Sequence, residues 1–278
     1  MKKIALTVSF VIFVFLVYGP TSSQAENTFA AKILTYFAQA DTNKDVVLGE
    51  KKTLKKGFSL EKFTAKDGTS IEYKILSPKT MESGRTYPLV LALHGRGGTT
   101  VAAPKLASDE FRTKFPCFVM VPESTKAGHW ARPAAAEKKT TKAMLPAALE
   151  ALDAVIKKHP VDTQRIYVTG QSMGGGGTFG ALSLRPNFFA AAVPVAGGWD
   201  PSEADRLKHV PIWVFHGDND KRVLPKYSRD MVAALKKAGG DPKYTEFKGV
   251  GHNSWNRTYD SLATWQWLFK QQKNKREE

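Results

Sequence analysis

The chain has 278 residues, 42% of them hydrophobic, which is enough to bury the core of one large domain with or without a small appendage. Its net charge of +15 comes from scattered lysines, without a basic stripe interleaved with aromatic residues, so the composition argues against a nucleic-acid-binding protein. If the basic surface has a macromolecular partner, we expect an anionic polysaccharide or an acidic surface. The single cysteine, Cys117, excludes an intramolecular disulfide, and its apolar neighbours predict a buried, unreactive thiol.

Residues 1–25 have the features of a secretory signal peptide. A basic start at Lys2 is followed by an apolar or small-residue run from Ile4 to Val17 and by the small-x-small cleavage pattern Ser23-Gln24-Ala25. The alternative is an uncleaved membrane anchor, but the apolar run is shorter than the roughly 20 residues that a spanning helix needs. We therefore expect a secreted or periplasmic protein whose mature chain begins near Glu26.

Residues 26–56 form a segment of different character. Thr28 to Ala40 has the apolar spacing of an amphipathic helix, and the following stretch from Asp41 resembles the first half of a calcium-binding EF-hand loop. Val46 replaces the glycine of the sharp turn, and Lys52 stands where the bidentate glutamate is needed. The segment is interpreted as a degenerate half EF-hand with poor calcium affinity, and a calcium-responsive protein remains an alternative function.

Residues 57–278 show the pattern of an α/β domain. Asp67-Gly68 between two alternating runs, Ser59–Thr64 and Ser70–Leu76, predicts an antiparallel hairpin. Apolar runs predict further strands at Leu89–Leu93, Phe118–Val121, Ile166–Thr169, Ala190–Val195 and Ile212–Phe215, and a last strand is predicted at Lys243–Phe247. Helical periodicity predicts helices at Thr141–His159, Met173–Leu184, Tyr227–Lys237 and Thr258–Lys270. Because strands and helices alternate, we expect a central, mostly parallel sheet with helices on both faces.

The stretch Gly170-Gln171-Ser172-Met173-Gly174 stands at the junction of a predicted strand and a predicted helix. Small residues on both sides allow the chain to turn sharply, which leaves the serine strained and its hydroxyl exposed at the end of the strand. The alternatives are a glycine-rich loop that caps a strand or a phosphate cradle. A P-loop would need a Gly-Lys-Ser/Thr ending, which is absent.

Polar residues follow several predicted strands at the point where each strand ends. They are His94-Gly95-Arg96, Ser172, His216-Gly217-Asp218-Asn219-Asp220 and Gly251-His252. Sites in a parallel sheet lie outside the carboxyl ends of the strands, so these residues are expected to converge. A serine hydroxyl becomes a strong nucleophile when a histidine accepts its proton and a carboxylate orients that histidine.

These motifs, in this order along the chain, resemble those of the α/β-hydrolase superfamily. Between about residues 58 and 269 the chain is similar to secreted esterases, polyhydroxyalkanoate depolymerases, feruloyl and acetylxylan esterases and dienelactone-hydrolase-like "predicted peptidases". The resemblance implies that Ser172 is the nucleophile, His252 the general base and Asp220 the carboxylate, with Asp218 as its competitor on the same strand end. It also implies an oxyanion hole formed by two backbone N–H groups, those of Met173 and Arg96.

Other residues near these motifs are predicted as substrate contacts. They are Trp130, Trp199, Gln171 and Trp255. For Trp130 and Trp199 the alternative is a simple surface tryptophan. His94 is expected to brace the oxyanion loop by hydrogen bonding, and His216 to be structural. No metal site or cofactor is predicted, because the sequence has no His-x-x-x-His pattern and no cysteine pair.

The expected function is hydrolysis of carboxylic esters outside the cytoplasm. Aryl and plant-wall esters, carrying feruloyl or acetyl groups on polysaccharide, are the first substrate class that we consider. Short-chain aliphatic esters or polyesters come next, and peptides last. The alternatives are a serine peptidase of the same fold and a non-catalytic carbohydrate-binding protein that keeps the fold.

Overall fold

The computed structural model of the protein describes residues 57–125, 128–131 and 142–273. The predicted signal peptide and the predicted segment 26–56, with its degenerate half EF-hand, lie outside the described residues.

The described chain is built around a sheet of eight strands. They are β1 (Phe58–Thr64), β2 (Ser70–Leu76), β3 (Tyr87–Leu93), β4 (Phe118–Pro122), β5 (Val161–Gln171), β6 (Ala191–Val195), β7 (Trp213–Gly217) and β8 (Lys243–Phe247). Their order across the sheet is β1-β2-β4-β3-β5-β6-β7-β8. The β1–β2 and β2–β4 pairs are antiparallel, and every pair from β4 to β8 is parallel.

The predicted hairpin forms because its turn residues suit a reversal of the chain. The Asp67 side chain accepts a hydrogen bond from the backbone N–H of Thr69 at 2.8 Å, and Gly68 takes the positive φ of 80° that favours glycine. Phe58 then lies opposite Leu76, which sets the register of the pair.

Helices cover both faces of the sheet. They are α1 (Ala102–Leu106), α2 (Asp109–Lys114), α3 (Leu145–Lys158), α4 (Met173–Leu184), α5 (Ala204–Leu207), α6 (Pro225–Lys237), α7 (Trp255–Asp260) and α8 (Leu262–Lys270), with a 3₁₀ turn at Pro201–Glu203. Successive side chains of β3 point to opposite faces: Leu89 and Leu91 join a core with α3 to α6, whereas Val90 joins a core with α1, α2, α7 and α8. Cys117 is buried in the second core, and burial raises the pKa of its thiol to about 12.

Three predicted helices differ from the structure in their bounds, and the smallest difference is in α6, which begins at Pro225 rather than at Tyr227. Helix α3 begins at Leu145 rather than at residue 141, and Pro146 occupies its first turn, where the missing N–H costs no hydrogen bond. The predicted last helix is divided, because Ser261 adopts an extended backbone (ψ 116°) between α7 and α8. The break leaves Tyr259 and Trp265 both buried against the sheet, and the Trp265 indole N–H donates to the Tyr259 carbonyl at 2.9 Å.

The predicted fold class, the α/β-hydrolase fold, is confirmed by this sheet, its antiparallel hairpin and its two helical layers. Strands β3, β5, β7 and β8 run parallel to one another, so the residues that follow them meet at one edge. Among the residues that the structure describes, none of the helices is long and apolar enough to span a membrane.

Candidate active site

Ser172 occupies a strained turn between β5 and α4. Its φ of 57° and ψ of −117° lie outside the regions that residues with a side chain normally adopt. Such strain persists where the surroundings hold the backbone in place, and it is concentrated at functional sites. The Ser172 N–H is held by the carbonyl of Val195 at the end of β6, at 2.9 Å.

The glycines around Ser172 allow α4 to begin directly against the sheet. A Cβ atom on Gly174 would lie 2.1 Å from the Leu93 carbonyl oxygen, and one on Gly170 would lie 2.4 Å from the Gly174 oxygen. Both distances are far below a normal contact. The expectation that small neighbours permit the turn therefore holds, and the physical reason is close approach of one backbone to another.

The side chains of Ser172, His252 and Asp220 lie in one hydrogen-bonded row. His252 Nε2 is 2.9 Å from Ser172 Oγ, and His252 Nδ1 is 2.7 Å from Asp220 Oδ2. An ionised carboxylate can only accept, so Nδ1 carries the proton and Nε2 is left to accept the serine proton. The His252 side chain is 16% exposed, and that of Asp220 is fully buried.

Asp220 is ionised and hydrogen-bonded on both oxygens. Oδ1 accepts from the backbone N–H groups of Arg222 (2.9 Å) and Val223 (3.0 Å), and Oδ2 faces the rings of His252 and His216. Burial acts to raise the pKa of this carboxyl, but the hydrogen bonds from His216 and His252 outweigh it and hold the pKa well below its ordinary value.

The competing carboxylate, Asp218, points elsewhere. Its Oδ1 accepts from the backbone N–H of Gly249 at 2.7 Å, and the residue is exposed. Asp218 therefore fixes the loop that leads to His252, whereas Asp220 contacts the imidazole itself.

The loop after β3 lies beside Ser172. A Cβ atom on Gly95 would lie 3.6 Å from Ser172 Cβ, and the loop closes on itself through a hydrogen bond from the Gly95 N–H to the Thr99 carbonyl at 3.2 Å. Arg96 belongs to this loop. Met173 is the first residue of α4, where a backbone N–H has no acceptor within its own helix. The two predicted oxyanion donors thus belong to segments that flank the serine.

His94 braces this loop, as its position predicted. Its Nδ1–H donates to the Gly95 carbonyl at 2.7 Å, and its Nε2 accepts from the Ser124 N–H at 3.0 Å. Burial lowers the pKa of the ring, which keeps the imidazole neutral.

Gln171 was predicted as a substrate contact, and the structure places it differently. The residue is 3% exposed, and its Nε2 donates to the Thr99 carbonyl at 3.1 Å. Its Oε1 lies 3.5 Å from the Val101 N–H. Both ends of the Gln171 amide therefore contact backbone groups of the loop that carries Arg96. The side chain holds this loop in place.

Trp130 and Trp199 are also placed differently from the prediction of an aromatic wall. They are 0% and 5% exposed. The Trp130 indole donates to the His94 carbonyl at 2.8 Å, and that of Trp199 donates to Ser183 Oγ at 2.9 Å. A buried indole offers no surface to an acyl group. The Trp130 ring supports the backbone at the end of β3, and the Trp199 ring packs against α4.

Trp255 lies close to the hydrogen-bonded row of Ser172, His252 and Asp220. Its ring packs edge-on against His252, with the centroids 5.0 Å apart. It is half-buried at the start of α7. Of the predicted substrate contacts, it is the one whose ring lies directly beside His252.

Comparison with known proteins adds a family match and related esterases. Residues 100–271 match the family model described as "PETase: PET hydrolase-like". A crystal structure of a thermostable esterase has a TM-score of 0.72 and 34% sequence identity with this protein, over 78% of this chain and 63% of that one.

Two curated relatives match shorter stretches. "Probable carboxylesterase SOBER1-like" of Arabidopsis thaliana is 27% identical over 112 residues, which are 38% of this chain and 42% of that protein. "Bifunctional acetylxylan esterase/xylanase XynS20E" of Neocallimastix patriciarum is 38% identical over 69 residues, 25% of this chain and 10% of that protein. The chain thus spans less than half the length of these curated relatives.

Proposed function

This chain belongs to the PET hydrolase-like family, and from that membership and the site geometry we propose that it hydrolyses carboxylic esters with Ser172 as nucleophile. The observation that carries the proposal is the strained Ser172 with His252 Nε2 at 2.9 Å and Asp220 behind the imidazole. The similarity to a thermostable esterase and to a carboxylesterase supports the reaction class.

The reaction proceeds in two halves. Ser172 Oγ attacks the ester carbonyl while its proton passes to His252 Nε2, and the alcohol then leaves with that proton, so that an acyl-enzyme remains. Water next gives a proton to His252 as it attacks the acyl carbonyl. The carboxylic acid leaves, and the serine regains its proton. Asp220 stabilises the imidazolium that forms in each half.

The negative oxygen of each tetrahedral intermediate is bound by two backbone N–H groups, those of Met173 and Arg96. Each such donor contributes ~3 kcal/mol to transition-state stabilisation in serine hydrolases. The positive end of the α4 dipole adds to this, because α4 begins immediately after the nucleophile.

The substrate class that we propose is an acetyl or feruloyl ester of an exported polysaccharide, met outside the cytoplasm after removal of residues 1–25. The similarity to the esterase/xylanase supports the acetyl group and a polysaccharide alcohol. The full sequence has a charge of +15, to which residues 1–25 contribute only Lys2 and Lys3, so the remaining chain is still strongly basic and suits an anionic polymer or surface.

The experiment is a panel of esters with varied acyl and alcohol parts, including p-nitrophenyl acetate, methyl ferulate and an acetylated xylan, together with a peptide amide. We expect turnover of esters by the mature chain and its loss in Ser172→Ala. The control is Ser202→Ala, an exposed serine in the 3₁₀ turn, which should retain full activity. Ester turnover that persists in a folded Ser172→Ala variant would refute the proposal.

A further inference from the structure

His216 is a fully buried histidine at the end of β7, and both of its ring nitrogens contact polar groups. Its Nε2 lies 2.8 Å from the Val223 carbonyl oxygen and 3.2 Å from Asp220 Oδ2. Its Nδ1 lies 2.7 Å from Ser228 Oγ on α6. The reaction proposed above uses His252 and assigns nothing to this second imidazole.

The contacts of Nε2 fix its role as a donor. A carbonyl oxygen and an ionised carboxylate carry no hydrogen, so the proton shared with Val223 and Asp220 belongs to His216 Nε2. A carboxylate has about four acceptor positions. In Asp220 they are taken by the Arg222 N–H, the Val223 N–H, the His252 ring and the His216 ring. His216 completes this set.

The far side of His216 is tied to the helix that follows the nucleophile. Ser228 Oγ donates to the Gly197 carbonyl at 2.9 Å. Gly197 lies so close to α4 that a Cβ atom on it would be 2.4 Å from the Gly175 carbonyl carbon. A continuous series of contacts therefore runs from α4 through Ser228 and His216 to Asp220.

Resting on the proposed function, we propose that His216 is a positioning residue that orients the Asp220 carboxylate toward His252. With His216 in place, Oδ2 is held between two ring N–H groups and cannot rotate without breaking both hydrogen bonds. The second donor also draws charge from Oδ2, which weakens its hold on the proton of His252 Nδ1.

The charged and titratable groups that face His216 come from three elements. Asp220 and His252 lie on the loops after β7 and β8, and Glu246 is its register partner on β8. Glu246 is itself paired with Arg229 of α6, with N···O distances of 2.6 and 2.8 Å, and accepts from the Tyr244 hydroxyl. Because Arg229 compensates the charge of Glu246, loss of His216 should change the electrostatic environment of Asp220 more than that of Glu246.

Two substitutions separate the two sides of the ring. An asparagine amide can occupy the place of Nδ1 and keep the contact with Ser228, while it loses the contact with Asp220. A glutamine amide reaches the place of Nε2 and can still donate to Asp220. Thermal unfolding of both variants measures their stability independently of activity.

We expect His216→Asn to lower kcat by about 10- to 100-fold, the cost of a small displacement of a catalytic group, while KM changes by less than about twofold. The acid limb of its pH profile should move to higher pH, because the pKa of Asp220 rises when the hydrogen bond from His216 is lost. His216→Gln should restore most of kcat and return the limb toward the wild-type position. The low-field proton resonance of the His252 Nδ1–H should shift in His216→Asn and stay in place in His216→Gln.

A purely structural His216 would lower the unfolding temperature and leave kcat, the acid limb and the His252 resonance unchanged below that temperature, which overturns the inference. If His216→Asn does not fold, Ser228→Ala keeps the ring and removes its outer anchor. Ser228→Ala should show smaller changes in kcat, in the acid limb and in the His252 resonance. The absence of these changes would also overturn the inference. An inactive wild-type protein contradicts the proposed function instead, and the resonance still tests His216.

Discussion

At the scale of one residue, Asp220 shows how hydrogen bonds keep a buried carboxylate ionised. Its side chain is fully buried, yet two backbone N–H groups and two imidazoles satisfy its oxygens. A buried carboxylate without such partners would take up a proton, and a protonated Asp220 could not stabilise the His252 imidazolium.

Replacing Asp220 by asparagine should lower kcat by about 10⁴-fold, because an amide favours the wrong tautomer of His252 and cannot stabilise its cation. The matched control is Asp218→Asn, two residues earlier, which removes the charge, keeps an Oδ1 that can accept from the Gly249 N–H, and leaves the imidazole in place. Steady-state kinetics on one ester, with circular dichroism to verify folding, measures both. A larger loss in Asp218→Asn would reverse the assignment of the carboxylate.

The depressed pKa of Asp220 also predicts how stability depends on pH. The folded-state pKa lies below the unfolded value of about 3.9, so the unfolded chain takes up this proton first as the pH falls. The stabilisation is complete above about pH 5 and decreases as the pH falls through about 3.9 toward the folded value.

Between about pH 5 and pH 2 the unfolding temperature of the wild type should therefore fall more steeply than that of Asp220→Asn. Thermal melts at half-unit intervals of pH measure the two slopes. Equal slopes would mean that the carboxyl has the same pKa in the folded and unfolded chains.

Substitution of Gln171 should affect catalysis through the loop that it contacts, and not through contact with the substrate. Gln171→Met removes the hydrogen bond to Thr99 and should lower kcat about tenfold with KM nearly unchanged, because oxyanion donors act chiefly in the transition state. Gln164→Met, at an exposed position of β5, is the control and should match the wild type. A rise in KM with kcat unchanged would return Gln171 to the role of a substrate contact.

At the scale of elements, α4 is positioned by backbone contacts that only glycine permits. Gly174 packs against the end of β3, and Gly175 against Gly197 beyond β6, where a Cβ atom on Gly175 would lie 2.4 Å from the Val195 oxygen. The helix thus lies deep between two strand ends, and its first N–H groups are beside Ser172.

Gly174→Ala should destabilise the fold by about 3 kcal/mol or more, since the clash is with backbone and cannot be relieved by a rotamer change. The unfolding temperature should fall by about 10 °C. Gly176→Ala in the same helix is the control, because its Cβ would lie 3.3 Å from the Gly198 oxygen and alanine gains about 1 kcal/mol of helix propensity. Equal melting temperatures for the two variants would mean that the close backbone contacts of Gly174 do not position α4.

Structural elements that are determined by neighbouring residues could be predicted from the sequence. The Asp67-Gly68 turn, the start of α4 after Ser172 and the bounds of β8 follow from neighbouring residues, and the structure agrees. The break at Ser261 could not be predicted, because it depends on how Tyr259 and Trp265 pack against the sheet. Burial of Trp130 and Trp199 was missed for the same reason, since only the folded chain shows which indoles are covered.

At the scale of the whole molecule, the fold joins residues that are distant in sequence. Ser172 and His252 are 80 residues apart, and His252 and Asp220 are 32 residues apart, yet each pair is within hydrogen-bonding distance. The sequence indicated this convergence through motif order, because parallel strands end at one edge. The contacts of His216 and Gln171 with neighbouring loops could not be derived, since motif order carries no information on side-chain direction.

The basic charge predicts a salt-dependent attraction that is separate from catalysis. The protein should be retained on an immobilised anionic polysaccharide at about 20 mM salt and released by about 0.5 M, because salt screens electrostatic attraction. Its kcat/KM for a neutral soluble ester should change by less than about twofold over the same range. Retention that survives 1 M salt would indicate a specific site instead of long-range charge.

During turnover we expect the acyl group to be carried by Ser172. The direct measurement is acid quenching during turnover of a slowly hydrolysed aryl ester, followed by mass spectrometry of the digested protein. We expect one acyl group on the peptide that contains Ser172, and no such adduct in Ser172→Ala. An acyl group found on a different residue during turnover would contradict it, as would full turnover by a folded Ser172→Ala variant.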